Sequence, residues 1–107
     1  MAEHVLDKLF AVINERRGAD PSESYTAKLL SKGPPRIAKK LGEEAVEVAL
    51  AGVVENKEAV VTESADLLYH LLVLWAARKI EPADVWEALT ERVDVSGLTE
   101  KAGRAKD

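Results

Sequence analysis

The sequence predicts an all-α protein of about five helices, with a central antiparallel helical hairpin in a dimeric helical bundle. Three observations predict it. Apolar residues recur at helical spacing through most of the chain, and no stretch alternates convincingly with period two. Gly18, the Gly33-Pro34-Pro35 step and Pro82 punctuate the periodic segments where helices should stop or start. The polar break Glu55-Asn56-Lys57 between the two longest apolar segments is short, which favours a reversal of the chain.

Each element can be placed in order. Val5, Leu6, Leu9, Phe10 and Ile13 form one stripe, so a first helix is expected from about His4 to Arg17, stopping at Gly18. The stretch GADPSES is then a loop, and Ser24 is placed to cap a short second helix through Leu30. Pro34 and Pro35 suit the first turn of a third helix, from about Pro35 to Val54. A fourth should span about Lys57 to Lys79. Pro82 opens a fifth, with Val85, Trp86, Leu89 and Val93 on one face. Gly97 and Gly103 mark a polar tail, expected to be mobile from about residue 96. There is no internal repeat or linker, so residues 1–107 read as one domain.

Composition narrows the function. Hydrophobic residues make up 47% and charged residues 32%, a globular rather than disordered mix, and 5% aromatics imply an aliphatic core. A net charge of −4 argues against nucleic acid as the main partner. With no cysteine, thiolate metal sites and cysteine nucleophiles are excluded. Glu3 and Asp7 do not suit a secretory leader, and the run Leu71 to Ala77 is too short to span a bilayer. A cytoplasmic protein without membrane partners is expected.

The chemistry lies on the hairpin. On the third helix Ile37, Leu41, Val48 and Ala51 share a face, with Glu44 at its centre and Glu47 on its flank. On the fourth, Glu63, Asp66 and His70 form a narrow stripe on an otherwise nearly apolar rod. A turn centred on Glu55 places Glu44 level with Asp66 and Glu47 level with Glu63. Carboxylates that converge resist ionising together, and a divalent cation resolves the conflict. All-oxygen ligation suits a hard ion, Mg²⁺ or Mn²⁺. A di-iron site would need Glu-x-x-His pairs, and no Glu here has a His three residues on. Between Glu23 and Glu43 there is no acid, and Lys28, Lys32, Arg36, Lys39 and Lys40 form a candidate phosphate-binding rim. A core His such as His70 is more often a structural hydrogen-bonder than a catalyst, and Tyr69 and Trp75 read as packing residues.

GEEAVEVALA followed by ESADLLYHLLVL resembles the EExxE…ExxD signature of the all-α nucleoside-triphosphate pyrophosphatase superfamily. Ser24-Tyr25-Thr26, Lys39-Lys40-x-Gly42-Glu43-Glu44 and Asp66-Leu67-x-Tyr69-His70 narrow the resemblance to the phosphoribosyl-ATP pyrophosphohydrolase branch, from about Val5 to Val95. The resemblance implies Mg²⁺-dependent hydrolysis of phosphoribosyl-ATP to phosphoribosyl-AMP and pyrophosphate, the second step of histidine biosynthesis, by a homodimer. It implies Glu44, Glu47, Glu63 and Asp66 as metal ligands. Glu43 matches the first acid of the motif, and Glu43, Glu44 and Glu47 are the candidate catalytic acids. The alternatives are a housekeeping pyrophosphatase on other nucleotides and a non-catalytic helical dimerisation module. The fourth helix is apolar on most sides, Leu72 and Trp75 included, and Ala45 to Val54 is apolar nearly all round. A homodimer built on the third and fourth helices, covering these faces, is expected.

Overall fold

Each of the five described helices starts at a residue whose chemistry explains the boundary. A computed structural model describes residues 3–54 and 56–93, and among them there are five helices and no strand. They are α1 (Val5–Glu15), α2 (Tyr25–Lys32), α3 (Pro34–Val54), α4 (Lys57–Arg78) and α5 (Pro82–Val93). The expected tail from about residue 96 lies outside the described residues.

The Ser24 hydroxyl accepts from the Ala27 N–H at 3.1 Å, and Asn56 Oδ1 accepts from the Ala59 N–H at 2.9 Å. His4 caps α1, its Nδ1 accepting from the Leu6 N–H at 3.0 Å. Gly33 joins α2 to α3 with φ 85° and ψ 173°, a region essentially reserved for glycine. Its carbonyl accepts from the Ile37 N–H at 3.2 Å, so Pro34 occupies the first helical position, where a missing N–H costs nothing. The helix α4 ends with Lys79 in the left-handed region, φ 60°. There the Ile80 N–H donates to the Trp75 carbonyl at 2.9 Å and the Lys79 N–H to the Ala76 carbonyl at 3.3 Å.

The helices α3 and α4 make the most extensive pairing among the described residues, and they run antiparallel, with Glu44 meeting Asp66 and Glu47 meeting Glu63. The helices α1 and α2 lie against this hairpin. Arg17 ties the end of α1 to that of α4: its Nη2 donates to the Ala76 carbonyl at 2.7 Å and to Asn14 Oδ1 at 2.9 Å. The core is Phe10, Ile13, Leu29, Ile37, Leu72, Val73, Trp75 and Ala76, concentrated on the second half of α4.

Three expectations are corrected. Leu72 and Trp75, expected on a partner-facing surface, are buried within the chain because α1, α2 and α5 close over that half of α4. The fifth helix does not dock along its whole stripe. Trp86 meets Trp75 edge to face at 5.8 Å and Val85 joins the core, but Leu89 and Val93 face solvent. Val5, at the outer end of the first stripe, is also exposed. By length and composition alone, Lys57–Arg78 could cross a membrane. Glu63, Asp66 and His70 interrupt it, and its second half forms the bundle core.

Candidate metal centre and adjoining clefts

The acids meet midway along the α3–α4 hairpin, just before the half of α4 that α1, α2 and α5 cover. One carboxylate oxygen each from Glu44, Glu63 and Asp66 lies within 4.8 Å of the other two. Glu44 is buried, as expected from its place among Ile37, Leu41, Val48 and Ala51. The geometry around Glu63 is the most informative. Its Oε1 is buried and has no hydrogen-bond partner among the described residues. The adjacent Glu47 carboxyl pushes the Glu63 carboxyl above its ordinary range, because the two share a hydrogen bond only when one is protonated. Burial and the charges of Glu47, Asp66 and Glu44 act in the same direction. A buried acceptor facing two further carboxylates lacks a positive counterpart, and a hard divalent cation fits that demand.

Glu43 points elsewhere. It pairs with Lys40, Nζ to Oε1 at 3.3 Å, and this contact raises the Lys40 ammonium pKa, aided by Tyr25 and by the charges of Glu43 and Glu44. Lys40 therefore stands between the acid cluster and a cationic wall. A cleft of about 90 Å³ beside it is lined by Tyr25, Lys28, Leu29, Lys32, Arg36 and Lys40. A larger cleft of about 560 Å³ adjoins the start of α2, where Ser22, Glu23, Ser24, Tyr25, Lys28 and Lys32 line it. Lys39 is exposed and lines neither cleft. Of the five expected rim cations, the structure gathers Lys28, Lys32, Arg36 and Lys40.

His70 is buried. A carbonyl can only accept, so His70 Nδ1–H donates to the Asp66 carbonyl, at 2.8 Å. In the neutral ring Nε2 is then an acceptor, and the Tyr25 hydroxyl donates to it at 3.2 Å. Tyr69 stacks on Tyr25 at 6.3 Å and hydrogen-bonds Thr26. These contacts clamp α2 onto α4 one turn from Asp66. Tyr25 is the residue that sequence reasoning missed. Its only signal was its place in the Ser24-Tyr25-Thr26 stretch, because its partner His70 lies 45 residues away in the chain.

The profile described as phosphoribosyl-ATP pyrophosphohydrolase matches residues 6–93. A phosphoribosyl-ATP pyrophosphatase of Parvibaculum lavamentivorans is 59% identical over 101 residues, covering 94% of this chain and 93% of the relative. One from Azospirillum brasilense is 55% identical over 100 residues, covering 94% of this chain and 90% of the relative. One from Granulibacter bethesdensis is 54% identical over 105 residues, covering 98% of this chain and 66% of a longer relative. With its helical hairpin, its facing acids and a match across most of its length, the chain belongs to the phosphoribosyl-ATP pyrophosphohydrolase family.

Proposed function

We propose that this chain hydrolyses phosphoribosyl-ATP to phosphoribosyl-AMP and pyrophosphate, the second step of histidine biosynthesis, in the cytoplasm. Family membership supports the reaction, and the orphaned Glu63 Oε1 among Glu44, Glu47 and Asp66 is the observation that carries the site. These four acids would hold Mg²⁺, or Mn²⁺ in its place. Bound there, the ion supplies charge neutralisation at the phosphates and a more acidic water.

The chain's own residues do the rest. Glu44, Glu63 and Asp66 present their oxygens to one space, so the ion need not gather them. Glu43 holds Lys40 beside the cluster as a cation for the phosphates, with Arg36 next to it on the wall. His70 fixes Tyr25 and the Asp66 turn with its two ring nitrogens. The exposed apolar side chains Val46, Leu50, Val53 and Val54 recur at helical spacing on α3, from the level of the acids to the hairpin tip, and with the exposed Val61 of α4 they fit a second copy of the chain. A homodimer built there places the acid cluster close to the interface.

Pyrophosphate release from phosphoribosyl-ATP, set beside release from ATP and the other common nucleoside triphosphates, tests the reading. A preference of at least about 100-fold in kcat/KM for phosphoribosyl-ATP is expected, near 3 kcal/mol of transition-state discrimination. Equal rates on all would point to a housekeeping pyrophosphatase, and no release from any to a non-catalytic module.

A further inference from the structure

Four cations wall the smaller cleft, but only two of them, Lys28 and Lys32, also line the larger one. Arg36 and Lys40 belong to the small cleft alone, and Lys40, paired with Glu43 on the helix that carries Glu44, is the member whose ammonium feels the Glu44 charge. Tyr25 borders both clefts. The arrangement therefore runs in order from acid cluster to Lys40, to Tyr25, to the large cleft. Tyr25 is well fixed for an exposed residue: its ring rests on Tyr69, its hydroxyl is bound to His70, and it is still 51% exposed. Among the described residues Lys28 and Lys32 have no ion pair. The Ser22 and Ser31 hydroxyl protons are committed to Asp20 and to the Lys28 carbonyl, which leaves the two lysines as the strong donors of the large cleft, beside the single acid Glu23.

We propose that Tyr25 is the stacking platform for the purine, and that Lys28 and Lys32 hold a second phosphate beyond it, remote from the phosphates at the metal centre. The cleft then selects a nucleotide that is charged at both ends, which plain ATP is not. A fixed aromatic face takes any base by stacking, so discrimination comes from the far phosphate and its two lysines. This rests on phosphoribosyl-ATP as the substrate, whose phosphoribosyl group carries that second phosphate.

Calorimetric titration of the full chain without metal, using AMP and phosphoribosyl-AMP, tests it apart from turnover. The wild type should bind phosphoribosyl-AMP at least about tenfold more tightly than AMP. The double variant Lys28→Ala/Lys32→Ala should erase that difference while changing AMP affinity by less than about threefold. Tyr25→Ala should weaken both ligands about tenfold, whereas Tyr25→Phe, which keeps the ring and loses the His70 bond, should stay within about threefold of wild type. Circular dichroism checks that each variant is folded. Equal wild-type affinities, a preference that survives loss of both lysines, or an unaltered Tyr25→Ala would overturn the assignment. If the preference holds but phosphoribosyl-ATP yields no pyrophosphate, the cleft assignment stands and the reaction falls.

Discussion

The two halves of the α3–α4 hairpin have similar composition and opposite fates. From Leu71 to Ala76, α4 is apolar, and Leu72, Val73, Trp75 and Ala76 are buried within the chain, as is His70 just before them. Toward the tip the sequence is equally apolar, yet Val53 is 82% exposed, Val54 73%, Val61 59% and Leu50 55%. The difference is what lies alongside. The closed half has α1, α2 and the start of α5 around it, while the open half has only its hairpin partner among the described residues. Hydrophobicity states that a surface will be covered, but not whether the cover is in the same chain. The acid cluster sits between the halves, where solvent and ligand can still reach.

That comparison can be broken by substitution. The largest effect belongs to the closed half. Leu72→Ala removes a fully buried side chain and should destabilise the protein by about 3 kcal/mol, read as a loss in urea midpoint without a change in slope. Leu50→Ala at the tip should cost the monomer less than about 0.5 kcal/mol. If the two cost the same under conditions where the chain is monomeric, the halves do not differ as described. The second effect concerns assembly. Leu50→Asp with Val53→Asp should convert a dimer to a folded species sedimenting at the 11.7 kDa chain mass. A wild type that already sediments at that mass at micromolar concentration would remove the partner from the open half.

The third effect sits at the boundary. In the folded, metal-free chain Glu63 has a carboxyl pKa raised above its ordinary 4.5, chiefly through Glu47. A raised pKa means that the folded state holds the proton more tightly than the unfolded state. Its stabilisation is complete below pH 4.5 and is lost as pH rises through the folded value. Thermal melts of metal-free protein should therefore show a stability loss above pH 4.5 that Glu63→Gln flattens. Added Mg²⁺ should raise the wild-type melting temperature at pH 7 far more than that of the variant. The smallest effect is at the end of α4. Lys79→Gly relieves a left-handed backbone and should stabilise by about 1 kcal/mol, seen as a melting temperature a few degrees higher.

Much of this was legible in the sequence. Helical periodicity with Ser24, Gly18, the Gly33-Pro34 step and Pro82 placed every helix to within about two residues, because caps and apolar stripes are local properties. The short turn after Val54 put Glu44 beside Asp66 and Glu47 beside Glu63. What escaped was tertiary. The sequence could not say that α1 and α2 would cover Leu72 and Trp75, or that α5 would dock by Val85 and Trp86 and leave Leu89 outside. Nor could it separate Lys40 from Lys39. They are adjacent in the chain, but their side chains point about 100° apart on the helix, and only Lys40 meets Glu43 and Tyr25.

The central claim is that the acids at this boundary make a metal centre for pyrophosphate release. The most direct measurement is pyrophosphate release from phosphoribosyl-ATP by wild type and Glu63→Gln, in Mg²⁺, in excess chelator, and after Mg²⁺ is restored. The account predicts wild-type turnover that vanishes with the chelator and returns with the ion, and a folded Glu63→Gln slowed at least about 100-fold in Mg²⁺. Full wild-type turnover in excess chelator, or an unimpaired Glu63→Gln, would contradict it.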